Sequence, residues 1–105
     1  MQNNIVTQEK LDKYFSITKE ALEKAKKALN STQQKMAEDA LDMAQRYYDD
    51  AHYFLQHKND AVLAFAALNY AHGWLDAGAR IGLFKVSDSR LFTVDEITEE
   101  KKENE

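Results

Sequence analysis

Apolar residues in the first part of the chain recur at alternating steps of four and three: Leu11, Phe15, Thr18, Leu22, Ala25 and Leu29, with Lys and Glu filling the positions between. That spacing puts one side of a helix into a core and predicts a first helix from about Thr7, a suitable N-cap, to about Leu29. The run Asn30 to Thr32 interrupts it, and Ser31 with Gln34 fits a capping box for the next helix. A second helix, about 32–57, carries two adjoining stripes, Met36, Ala40, Met43, Tyr47, Ala51, Phe54 and beside them Ala37, Leu41, Ala44, Tyr48, Leu55. So broad an apolar face predicts contact with two neighbours. Lys58 to Asp60 form the next turn, with Asn59 or Asp60 as the cap of a third helix over about 60–83. Short connections make consecutive helices antiparallel. The expected fold is all-α, an up-down-up three-helix bundle over residues 1–86, followed by an irregular, acidic C-terminal extension over 87–105. The first part of that extension, Arg90 to Val94, is expected to lie on the bundle and the rest to be solvated.

The third helix is unusual in its pattern. From Ala64 to Phe84 the strongly polar residues are Asn69, His72, Asp76 and Arg80. At 3.6 residues per turn they share one side of the helix, an arc of about 80°. The remainder is Ala, Gly, Leu, Tyr, Trp and Ile, which predicts burial around most of the circumference. Ala67, Ala71, Gly78 and Gly82 would let another backbone approach closely. A glycine costs roughly 1 kcal/mol of helix stability against alanine, so a packing reason is expected. Two coverings are open: the chain after Phe84, through Leu91, Phe92 and Val94, or a second protein chain, most simply in a symmetric homodimer.

Composition narrows the function classes. The 105 residues contain no cysteine, which removes disulfides and thiolate metal sites. Net charge is -4. Residues 94–105 hold six acidic side chains and two lysines and so account for all of it. No basic field suited to phosphate backbones is left, and nucleic-acid binding is not expected. No signal-like or membrane-spanning segment is recognisable, so the expected location is cytoplasmic.

The polar row admits two readings. It is the wet side of the helix, with His72 and Arg80 each four residues from Asp76. Alternatively, it borders a groove. If the second and third helices fold back near Lys58 and Asn59, His72 lies near Gln45 and Asp49, Tyr70 near Tyr48 and Arg80 near Glu38. Asp49, Asn69, His72 and Asp76 would then form one polar cluster able to orient a small ligand, with His72 as proton carrier and Asp76 orienting it. The paired Glu-x-x-His motifs of di-iron bundles are missing, and no metal or other cofactor is expected. Arg46 and His52 in "RYYDDAH" are similar in spacing to the Arg-x4-6-His signature of HEPN-class helical ribonucleases, which use such a pair in a cleft formed on dimerisation; otherwise Arg46 pairs with Asp50 and His52 is exposed. The aromatic residues Tyr47, Tyr48, Tyr53, Phe54, Tyr70 and Trp74 read as core with hydroxyls at the rim.

The string "YYDDAHYFLQHKNDAVLAFAALNYAHGWLDAGARIGLF" resembles a family of small archaeal helical proteins catalogued as a domain of unknown function, with "YAHGWLDAG" its most specific part. The resemblance implies a compact bundle and no particular activity, and it marks Asp50, Asn69, His72 and Asp76 as the family's distinctive polar residues. The expected function is a non-enzymatic interaction module, a homodimer or a partner of another protein, with Ala67, Ala71, Gly78 and Gly82 at the contact. The alternative is a site that binds a small ligand or a metal ion, or is catalytic, built from Asp49, Asp50, Asn69, His72, Asp76 and Arg80.

Overall fold

The computed structural model describes residues 5–93. Val94 and the acidic end of the chain lie outside the described residues. Three helices run up, down and up: α1 (Gln8–Lys26), α2 (Gln34–Lys58) and α3 (Ala61–Arg80), with a short 3-10 turn, Ser31–Gln33, ahead of α2.

Local chemistry sets most of the boundaries. The Thr7 hydroxyl accepts the Lys10 amide, and the Asp60 carboxylate accepts the Leu63 amide at 2.9 Å, so both α1 and α3 begin on side-chain caps. Asn59 ends α2 with a backbone φ of 49°. This is the left-handed region, where asparagine is one of the few side chains tolerated. Its amide returns to the Phe54 carbonyl.

Three expected boundaries change, α3 among them, which ends at Arg80 rather than near Leu83 because the chain turns at Gly82. α1 stops at Lys26 rather than near Leu29, because Leu29 leaves the helix to form an antiparallel bridge with Phe84. Ser31 does not cap α2. α2 starts at Gln34 without a side-chain cap, and Asn30 caps the preceding 3-10 turn, its Oδ1 accepting the Thr32 amide while its Nδ2 donates to the Gly82 carbonyl at 2.8 Å. One side chain thereby ties the α1–α2 connection to the turn after α3.

α2 and α3 make the most extensive pairing, and α1 packs more on α3 than on α2. The buried line of α2 is Ala37, Ala40, Ala44 and Ala51. Alanines let the neighbouring elements come close, and the space they leave is filled by large residues from elsewhere. Phe84, Leu91 and Phe92, all beyond α3, sit in the same core as Ala21, Leu22 and Ala25 of α1 and Leu75 of α3. A second cluster near the α2–α3 turn joins Leu11, Ala51, Ala64 and Leu68, with Tyr48 reaching both.

Residues 83–93 therefore form a strap across the bundle. Gly82 turns the chain at a φ of 85°. Glycine adopts such a value freely, having no Cβ to clash. Hydrogen bonds from the Asn30 amide to the Leu83 carbonyl and from the Lys85 amide to the Ala28 carbonyl, 2.8 Å each, fix the start of the strap. Asp88 then organises a tight turn by accepting from the Arg90 and Phe92 amides. No described helix is long and apolar enough to cross a membrane.

Candidate functional site

Two members of the polar row of α3, His72 and Asp76, face α1 and the strap, not α2. The Leu91 carbonyl lies 2.6 Å from His72 Nε2, and because a carbonyl only accepts, Nε2 carries the proton. Nδ1 lies 3.4 Å from the hydroxyl of Thr18, which is fully buried on α1. One turn on, Asp76 Oδ1 accepts the Thr93 amide at 2.7 Å and stands 3.7 Å from His72 Nε2. The row thus clasps a backbone segment at two points.

The outer side of the strap is pinned to α1 by ion pairs. Lys24 Nζ meets Asp88 Oδ2 at 3.0 Å, and Arg90 meets Glu20 at 2.6 Å. Hydrogen bonding from Arg90 holds the Glu20 carboxyl below its ordinary range, and Lys24 does the same for Asp88. The Arg90 guanidinium is held above its ordinary value, chiefly by its hydrogen bond to Glu20. All these groups are at the surface, so each pair contributes little on its own.

The remaining sequence-derived candidates disperse. Asp49 and Asp50 are exposed on α2, and Asp49 accepts from Gln45 of its own helix at 3.0 Å. Asn69 donates to the Phe65 carbonyl one turn back, and Arg80 is exposed. A cleft of about 370 Å³ does collect Lys13, Tyr14, Asn69, His72, Asp76 and Arg90. In it His72, Asp76 and Arg90 are already engaged with Leu91, Thr93 and Glu20. Among the described residues, no group of three His, Asp or Glu side chains converges as a metal ion would require, and no buried side-chain nitrogen or oxygen lacks a hydrogen-bond partner. Arg46 pairs with Asp42 rather than Asp50, and His52 is not exposed: its ring lies 4.4 Å from that of Phe15 and edge-on to Tyr48. Six residues apart on a helix, Arg46 and His52 point about 120° away from each other.

The small residues also find an internal use. Ala67, Ala71 and Gly78 are buried within the chain. A Cβ built on Gly78 would stand 2.3 Å from the ring of Phe84, so the close approach allowed there is taken by this chain's own phenylalanine. Gly82 serves the turn.

What α3 leaves in water is its opposite side. Val62 (68%), Tyr70 (64%), Ile81 (62%) and Trp74 (37%) are exposed, with Ala66, Gly73 and Ala77 between them. The stripe runs the length of the helix. Tyr47 of α2 stacks on Tyr70 at 5.2 Å and widens it. At its centre is a shallow depression of about 330 Å³ lined by Asn69, Tyr70, Gly73, Trp74 and Ala77. A Cβ on Gly73 would meet nothing within 4 Å, so nothing in the chain itself requires glycine there. The 62-66-70-73-77-81 spacing is visible in the sequence, but only the helix rotation reveals that this stripe faces out and the Gly78 side faces in.

Residues 13–84 match the family described as a protein of unknown function (DUF357), and with that much of its 105 residues covered the chain belongs to this family. Membership agrees with the resemblance to a domain of unknown function carried by the second and third helices. The match ends at Phe84, so it includes the residue that packs on Gly78 and stops short of the rest of the strap. No curated protein and no solved structure matches the chain.

Proposed function

We propose that this member of the DUF357 family is a helical interaction module, not an enzyme, and that it self-associates through the outer face of α3. The observation that carries this reading is the exposed apolar stripe. Single exposed apolar residues need no explanation, but a continuous line of them on one helix marks a contact surface. Here Val62, Tyr70, Trp74 and Ile81 stay in water although the chain brings Phe84, Leu91 and Phe92 round to cover the other side of the same helix.

A second copy is the occupant we favour because the two ends of the stripe match, and at its centre a large residue stands opposite a small one. β-branched Val62 and Ile81 terminate it, and Ala66 and Ala77 stand inside them. A twofold contact needs that kind of self-complementarity. A strip about 30 Å long and roughly 15 Å wide on each copy would bury on the order of 900 Å² in total, below the size of stable specific contacts and in the range of weak, transient ones. The association is accordingly expected to be weak and concentration-dependent. Polar chemistry at His72 and Asp76 has a smaller part in this reading, since both are committed to the strap.

Trp74, the single tryptophan, lies on the stripe and reports on it directly. On dilution its emission is expected to move to longer wavelength and acrylamide quenching to increase. Emission and quenching independent of concentration, at the values of a solvated indole, would contradict self-association.

A further inference from the structure

Resting on the reading of α3 as a self-association surface, we infer that two copies pair with their α3 helices antiparallel about a twofold axis, and that Tyr70 of each copy seats in the depression over Gly73 of the other. The inference fixes a register, and three observations converge on it.

First, three pairs of exposed positions are arranged symmetrically about the midpoint between Ala71 and His72, while exposed Trp74 falls opposite Asn69 and exposed Leu63 opposite Arg80. Val62 and Ile81 are equidistant from that point, as are Ala66 and Ala77, and Tyr70 and Gly73. At 3.6 residues per turn, a perpendicular axis through this midpoint emerges at the centre of the exposed stripe, between the directions of Ala66 and Ala77. An antiparallel partner therefore sets β-branched against β-branched, alanine against alanine, tyrosine against glycine, and Trp74 and Leu63 against the polar Asn69 and Arg80. A parallel partner would set Tyr70 against Tyr70 and Trp74 against Trp74, and would hold the two helices apart.

Second, the shape agrees. The glycine to which the register assigns the tyrosine is the one with open space above it, at the floor of the depression. Gly78, whose space is filled by Phe84, has no such room. Tyr70 is also held for the task, its ring stacked on Tyr47 at 5.2 Å with an interplanar angle of 22°. Little conformational freedom remains for it to lose on association.

Third, the charges agree. The register puts exposed Arg80 beside the N-terminal turn of the opposite helix, one turn from Asp60 of the second copy. Cations at helix C-termini next to carboxylates at N-termini are the favourable arrangement of two antiparallel dipoles.

The absence of cysteine from the chain makes the register measurable without background. Ala66→Cys and Ala77→Cys are prepared separately as full chains; both positions are exposed, so folding is unaffected. In the proposed pair Ala66 faces Ala77 across the axis, while each is about 16 Å along the helix from its own counterpart, beyond disulfide reach. Under mild oxidation a mixture of the two proteins is expected to form covalent dimer at least tenfold faster than either protein alone. Equal or faster cross-linking of a single variant, with a dimeric mass before oxidation, would overturn the register and leave self-association standing. A monomeric mass with no cross-link in any sample would overturn both.

Discussion

The imidazole of His72 donates to the backbone carbonyl of Leu91 at 2.6 Å and shares a hydrogen bond with the buried hydroxyl of Thr18 at 3.4 Å, so one side chain joins α1, α3 and the strap. This arrangement uses both ring nitrogens for structure. It explains the histidine in the polar row of α3 without invoking chemistry at a ligand. His72→Ala leaves the Leu91 carbonyl and the Thr18 hydroxyl without partners and is expected to cost about 1–3 kcal/mol. Urea unfolding measures the loss, and amide exchange should show the strap opening before the helices. An unchanged midpoint with unchanged protection at Leu91 and Phe92 would mean that the clasp contributes nothing.

Gly73 and Gly78 predict opposite outcomes for the same substitution. Gly78→Ala drives a methyl into the ring of Phe84. It is expected to destabilise the chain by about 1–3 kcal/mol, less what alanine returns in helix propensity. Gly73→Ala meets nothing within the chain. It is expected to stabilise the monomer by about 0.5–1 kcal/mol, while weakening self-association by filling the depression. Thermal unfolding at low concentration separates the two. A bulky residue at Gly78 would not report on association, because its first effect is on the fold.

Acid should loosen the strap before it unfolds the helices. Glu20 and Asp88 have native-state values below their ordinary range, so the stability they provide is present at neutral pH. It is lost as pH falls through those lowered values, below about pH 4. Exchange at the Arg90 amide, which donates to Asp88, is expected to rise in that window, and Glu20→Gln is expected to shift its onset. Identical acid profiles for wild type and Glu20→Gln would show that the Arg90 pair is not a fastening.

The fold was legible wherever the signal was local. Heptad spacing from Leu11 to Ala25, the Thr7 and Asp60 caps and the Asn59 turn each rest on neighbouring residues, and each stands in the structure. What escaped depends on distant partners. α1 ends early because Leu29 pairs with Phe84, and His72 is claimed by a backbone carbonyl, which any residue type at position 91 would present. The cluster of Asp49 with His72 failed for a geometric reason. α2 and α3 do fold back in nearly the expected register, Tyr70 meeting Tyr47 instead of Tyr48, but rotation of α3 turns His72 toward α1. The same rotation exchanges the roles of the two small-residue lines, Gly78 inward and Gly73 outward.

Phe92 should matter more than its position near the chain's end suggests. It is almost fully buried among residues of all three helices. Phe92→Ala is expected to cost about 3–5 kcal/mol. Denaturant unfolding checks the magnitude. A loss below about 1 kcal/mol would mean that the strap is an appendage and not a part of the core.

Contact of the outer face of α3 with a second copy is read from the solution mass. Light scattering across a concentration series is expected to carry the wild-type chain from 12.1 kDa toward twice that value, and Tyr70→Glu to remain at 12.1 kDa throughout. Tyr70 is largely exposed in the single chain, so this substitution leaves the fold intact. A wild-type mass fixed at one chain up to millimolar concentration, or a dimer indifferent to Tyr70→Glu, would contradict the account.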